Sequence, residues 1–108
     1  DIKMKIAVPL FGDRISPHFG ASSEILMVET RNGRICRKTK IDLGPSDPEG
    51  IARRLAAYGV NRIVCGGIQR IHKQWLTDSG IRVVDNQKGP AEEVLTGMIA
   101  AEKTQESG

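Results

Sequence analysis

Two short stretches carry the side chains best able to do chemistry. Cys65-Gly66-Gly67-Ile68 closes the β-branched run Val60 to Val64, and Ser16-Pro17-His18-Phe19-Gly20 follows the first apolar run of the chain. A thiol at a strand end is soft and can become a charged metal ligand, and an imidazole is a common one. Two adjacent glycines remove side-chain bulk and admit positive φ. A ligand could therefore approach the backbone where the next helix offers unpaired N–H groups and the positive end of its dipole. Anions suit such a place.

Several chemistries are excluded by what the spacing lacks. There is no Gly-x-Gly-x-x-Gly, no phosphate loop ending in Gly-Lys-Ser/Thr and no nucleophile elbow. Zinc needs three or four ligands, commonly in paired spacings, whereas Cys36, Cys65, His18 and His72 are scattered singly. A hydrolytic pair of Cys65 and His18 has no third orienting group evident from spacing. Asp13, Asp42 and Asp85 do not sit where a two-metal nuclease would need carboxylates. A small enzyme using Cys65 as nucleophile stays open at this point. Cys36 reads as incidental and His72, on the second helix, as a solvated surface residue.

The remaining composition is that of an ordinary globular domain. With 108 residues, 39% hydrophobic and 27% charged, the chain fits one domain, its core mainly aliphatic because aromatics make up only 4%. Two cysteines are too few for a disulfide scaffold. The net charge of +3 is mild and the basic residues are dispersed, which gives no reason to expect nucleic acid. The densest basic run, Arg34 to Lys40, reads as a charged edge strand. No run is long enough to span a membrane, and Ile6 to Phe11 is too short for a secretory signal, so a cytoplasmic protein is expected. Residues 1–3 precede Met4 and read as an extension or tag, residues 102–108 as a flexible tail, and residues 4–101 as the domain.

These residues must be positioned by the elements around them. Lys5 to Leu10 is near-continuously apolar, as in a strand buried on both faces, with Pro9 at its end. The segment Phe11 to Gly20 reads as an irregular loop. Glu24 to Glu29 and Ile35 to Ile41 are two strands joined by Asn32-Gly33, a hairpin signal. Ser46 or Asp47 with Pro48 opens a first helix that Gly59 closes, and Gln69 to Ser79 forms a second, ended by Gly80. In that second helix Ile71, Trp75 and Leu76 follow helical spacing, which predicts that Trp75 packs on the sheet. Ile81 to Val84 is a fifth strand, and Gly89-Pro90 opens a third helix with Val94, Leu95, Met98 and Ile99 on its buried face.

An antiparallel hairpin followed by right-handed crossovers gives a single-domain α/β fold. The expected sheet is mixed and five-stranded, in order 3-2-1-4-5 with strand 2 antiparallel, and carries three helices, a ribonuclease-H-like layout. In that order the loop bearing His18 and the Cys65-Gly66-Gly67 turn emerge at one sheet edge, where they could converge. One thiol, one imidazole and a glycine-lined anion pocket amount to soft, partial ligation. That suits a preformed anionic metal-sulfur cofactor, which brings most of its own ligands. On this reading His18 and Cys65 are the metal ligands.

Met4-Lys5-Ile6-Ala7-Val8-Pro9, Ser16-Pro17-His18-Phe19-Gly20 and Gly66-Gly67-Ile68 together resemble the NifX-like domain of dinitrogenase iron-molybdenum cofactor biosynthesis proteins. The resemblance covers Met4 to about Ala101, and its most specific part is Ser-Pro-His-Phe-Gly. It implies a ribonuclease-H-like fold and non-catalytic binding or carriage of iron-molybdenum cofactor, or of its iron-sulfur precursor. The implied partners are metallocluster assembly proteins or a recipient apo-enzyme. Ser16, His18, Phe19, Gly20, Gly66, Gly67 and Ile68 occupy the motif positions, with His18 the ligand, and Cys65 is added to this cofactor-binding set on its chemistry. The other reading is a regulatory interaction module without metal, motivated by Arg31, Arg34, Arg37 and Lys38 on or beside the exposed edge.

Overall fold

The computed structural model describes residues 3–107, with side chains described for residues 3–101. Asp1 and Ile2 of the expected extension, Gly108, and the side chains of residues 102–107 lie outside the described residues. The elements in order are β1 (Lys3–Phe11), β2 (Arg14–Ile15), a 3-10 turn (Phe19–Ala21), β3 (Glu24–Arg31), β4 (Arg34–Asp42), α1 (Pro48–Ala57), β5 (Arg62–Val64), α2 (Arg70–Asp78), β6 (Arg82–Val84) and α3 (Ala91–Ser107).

The sheet runs β4-β3-β1-β5-β6, with β2 paired only to β1. β1 is antiparallel to β3 and parallel to β5, and β5 is parallel to β6. The path is the expected 3-2-1-4-5, but the sheet has six strands rather than five. The difference is β2, in the segment expected to be irregular. Gly12 at φ +65° lets the chain reverse over Gly12-Asp13, so that Leu10 pairs with Ile15 and Phe11 with Arg14. Pro9 is also not the end of its strand, since β1 runs on to Phe11. Pro9 is tolerated because β5 pairs only with Ile6 and Ala7, leaving no neighbour on that side that needs its missing N–H.

Helices cover both faces. Ala7, Ile63 and Cys65 point to the face covered by Ile51, Ala52 and Leu55 of α1 and Leu76 of α2. Ile6, Val8, Leu10 and Val64 point to the other, covered by Ala91 and Leu95 of α3. Alternate residues of β1 thus enter different cores, which is why its sequence is apolar at nearly every position. β4 is the exposed edge, and every residue but the half-buried Ile41 faces water. Arg37 pairs with Glu29 at 3.5 Å and Lys38 with Glu92, while Cys36 is exposed.

The helix boundaries follow their caps. Asp47 accepts a hydrogen bond from the Gly50 N–H at 2.7 Å at the start of α1, and Gly59 and Gly80 sit at positive φ just beyond α1 and α2. Trp75, however, does not pack on the sheet. It is 43% exposed and Ile71 is 71% exposed, leaving Leu76 as the buried residue of α2. The helix is rotated so that His72, Lys73 and Leu76 form its inner stripe. Leu76 in the core sets that rotation, and Lys73 on the same stripe bonds Asp85, beyond the end of β6, at 3.0 Å.

Candidate functional site

The two chemistry-bearing stretches are joined backbone to backbone. His18 and Gly67 form an isolated parallel bridge, in which the Gly67 N–H donates to the Pro17 carbonyl at 2.8 Å and the Phe19 N–H donates to the Gly67 carbonyl at 2.9 Å. Gly67 lies beyond the carboxyl end of β5, and the His18 segment follows β2, which folds back from the end of β1, so the bridge joins the two stretches at one rim of the sheet.

Ser16 and Phe19 secure this arrangement from below. Ser16 is buried, its N–H donates to Pro9 O at 2.9 Å, and its hydroxyl donates to His18 O at 2.8 Å. The Phe19 ring is 1% exposed and belongs to the core cluster under α1 and α2. Between these two anchors His18 is exposed to solvent.

The glycines act by their size. Neither Gly66 nor Gly67 is among the residues at positive φ. A Cβ on Gly66 would stand 2.4 Å from Ser16 O and 2.8 Å from Pro17 O, and one on Gly20 would stand 2.3 Å from the Pro48 ring. Close approach of another backbone at Gly66 and of the Pro48 ring at Gly20, rather than an unusual turn, is what requires glycine here. The carbonyls of Cys65 and Gly66 are also spoken for, accepting from the N–H groups of Gln87 and Asn86 at 2.9 Å each.

An open groove of about 500 Å³ runs beside this junction. His18, Phe19, Gly20, Gly67 and Ile68 line it, together with Ala21, Pro48, Gln69 and His72. Five of the eight expected site residues are therefore brought together, while Ser16, Cys65 and Gly66 are not in the lining. Ser16 supports His18, and Gly66 lines a different cleft. Cys65 is fully buried, and burial, with a smaller contribution from the Asp85 charge, pushes its thiol up to about 12. A thiol held protonated and out of reach of the groove is a poor ligand, so of the two residues expected to bind metal only His18 stands in the groove.

Spacing alone missed His72. It lies in the first turn of α2, beside His18 in the same groove, and its signal is its position five residues after Gly67 on a helix that begins at the groove. Gln69, the N-cap of α2, makes no side-chain capping bond and the first turn holds no acidic residue. The positive end of the helix thus opens on the groove with no acidic residue of its own first turn to answer it. No group of three or more His, Cys, Asp or Glu that could hold a bare metal ion is found among the described residues. The groove offers two imidazoles, backbone and a helix start. Such a set fits a preformed anionic group that completes its own coordination.

Fold and site together define a small open-sheet α/β domain with a groove at the carboxyl ends of its parallel strands, where such sheets take their ligands. Residues 2–101 match the family described as dinitrogenase iron-molybdenum cofactor, and the chain belongs to that family. An uncharacterized protein of Methanocaldococcus jannaschii is 37% identical over 70 residues, 60% of this chain and 59% of its own length. The chain therefore matches less than two thirds of that curated relative.

Among solved structures, the crystal structure of PH0822 superposes with a TM-score of 0.85 at 21% identity, covering 91% of this chain and 90% of the other. The crystal structure of a candidate dinitrogenase from Methanocaldococcus jannaschii gives 0.75 at 19% identity, covering 94% and 93%. A candidate NifB protein from Thermotoga gives 0.63 at 16% identity, covering 88% and 86%. At these identities the likeness is one of fold. No helix among the described residues is long and apolar enough to cross a membrane.

Proposed function

We propose that this chain is a non-catalytic carrier that binds iron-molybdenum cofactor, or an iron-sulfur precursor of it, in the groove between the His18 loop and the start of α2. It would act in the cytoplasm and pass its cargo to metallocluster assembly proteins or to a recipient apo-enzyme. Membership of the dinitrogenase iron-molybdenum cofactor family supports the choice of cargo. The strand order is consistent with the ribonuclease-H-like label that the resemblance implied. The observation that carries the reading is the pairing of His18 with Gly67, which sets an exposed imidazole beside an uncapped helix start and His72. The cluster is cargo, so its own sulfides and metals supply most of the coordination. The chain supplies one or two nitrogen donors and a positive field. The buried, protonated Cys65 offers no activated nucleophile and favours the non-catalytic reading.

A regulatory interaction module without metal is the second reading, favoured by the exposure of β4 along its length. Anaerobic incubation with isolated cofactor, followed by gel filtration and quantification of iron and molybdenum, separates the two. The carrier reading expects metal to travel with the wild-type protein and to be reduced several-fold with His18→Ala. Protein eluting free of metal would overturn it.

A further inference from the structure

Across the Pro17–Gly67 pair from His18 lies a second cleft, of about 450 Å³. Phe11 and Arg14 of the β1–β2 hairpin form one wall, and Asn86, Gln87 and Lys88, between β6 and α3, form the other. Backbone hydrogen bonds hold the walls at a fixed separation. Ile15 donates to Gly89 O at 2.9 Å, Ala91 to Asp13 O at 3.1 Å, and Asn86 to Gly66 O at 2.9 Å. Asn86 sits at φ +59°, a left-handed conformation that asparagine tolerates better than most residues. The cleft is thus preformed, and it lies at the carboxyl ends of β1, β5 and β6.

Its lining combines three kinds of side chain. Phe11 is 69% exposed at the end of a strand whose preceding five residues are all buried. Arg14 and Lys88, like most of the described cations, form no ion pair with a carboxylate among the described residues, and both line this cleft. Asn86 adds a side-chain amide. An exposed aromatic ring and two cations lining one cleft are complementary to a flat ring that carries a negative group. The ring would stack on Phe11, the anion would sit between Arg14 and Lys88, and the amide could read the ring edge. A bare inorganic anion would leave Phe11 unused, and an uncharged ring would leave both cations unanswered.

We propose that this cleft is a second ligand site, separate from the His18 groove, for a small organic anion with a planar ring, of mononucleotide size. The ring is held by Phe11 and the anionic group by Arg14 and Lys88. The site does not depend on what the His18 groove carries.

Titration of the full chain with AMP, adenosine and inorganic phosphate, followed by amide NMR, tests it. AMP is expected to bind with a Kd below about 1 mM and at least tenfold tighter than adenosine or phosphate, shifting amides at 11–14 and 86–89. Phe11→Leu keeps an apolar side chain without the ring and should weaken AMP about tenfold, in line with the loss of base stacking. Arg14→Ala and Lys88→Ala should each weaken AMP and flatten its salt dependence. All three positions are exposed, so the variants should fold. The proposal is overturned if AMP binds no tighter than phosphate, if the three variants bind as wild type does, or if the shifts fall elsewhere.

Discussion

His18 and Gly67 lie side by side as an isolated parallel bridge beyond the end of β5, tied by two hydrogen bonds of 2.8 and 2.9 Å through Pro17 and Phe19. Residues 49 positions apart in the chain thereby share one rim of the sheet. The backbone of His18 is held by the buried Ser16 and Phe19 and by the bridge to Gly67, so the position of this residue is set by packing.

This close approach predicts that Gly66→Ala destabilises the protein. Gly→Ala alone can stabilise by about 0.4–1 kcal/mol through the unfolded chain. Here the new methyl would stand 2.4 Å from Ser16 O, a backbone atom that cannot swing aside, and overpacking of this kind costs about 1–3 kcal/mol. Gly67→Ala should be milder, because its closest contact, Pro17 O, would be at 3.2 Å. Urea midpoints for the two variants check the order. A Gly66→Ala protein as stable as wild type would contradict the packing described.

The burial of Cys65 predicts an alkaline loss of stability. Its thiol stays protonated in the folded chain to about 12, above the ordinary value of 9.0, so the folded state binds the proton more tightly than the unfolded state. Stability is unaffected below the ordinary thiol value. It falls as pH rises from about 9 toward 12, with a limiting slope of about 1.4 kcal/mol per pH unit. Cys65→Ala should remove that part of the slope in urea titrations between pH 8 and 10.5. At pH 8 iodoacetamide should label the exposed Cys36 readily and Cys65 only at the rate of unfolding.

The rotation of α2 predicts unequal costs for two adjacent residues. Leu76 is fully buried, and Leu76→Ala should cost about 2–5 kcal/mol. Trp75→Ala should cost about 1 kcal/mol or less, because nearly half of that side chain is already in water. Thermal or urea unfolding decides between this and a tryptophan packed on the sheet, which would make Trp75→Ala the costlier change.

Trp75 marks the limit of what periodicity could reveal. The spacing of Ile71, Trp75 and Leu76 correctly gave a helix, but its rotation is set by long-range contacts with no local signal, Leu76 entering the core and Lys73 reaching Asp85. The strand order was legible because β1 is apolar on both faces and Asn32-Gly33 fixes a hairpin. β2 was missed because two residues are too few to show a period. In the groove, His18 and Gly67 were legible from topology. The burial of Cys65 followed from strand alternation, which sends residues 63 and 65 into the same core, and only the thiol's chemistry argued otherwise. His72 was missed because its neighbour across the groove is more than fifty residues away.

The Lys73–Asp85 bond predicts an acid-side effect. Lys73 beside Asp85 holds its carboxyl below the ordinary carboxylate value, so the folded state releases that proton more readily. The stabilisation is present at neutral pH and is lost as pH falls through and below the usual aspartate range. Both side chains are partly in water, so the effect should be small and weaken with salt. Asp85→Asn should flatten the fall in urea midpoint between pH 5 and 3, and an unchanged profile would show that the bond does not bias the helix.

The carrier reading is tested most directly by paramagnetic broadening of backbone amides in the protein loaded anaerobically with isolated iron-molybdenum cofactor. Binding in the described groove predicts that signals from residues 18–21 and 67–72 broaden first, and that His18→Ala weakens the pattern several-fold at the same loading while leaving the unloaded spectrum folded. Broadening centred on β4 or on the Phe11 cleft, or an unchanged spectrum after loading, would contradict it.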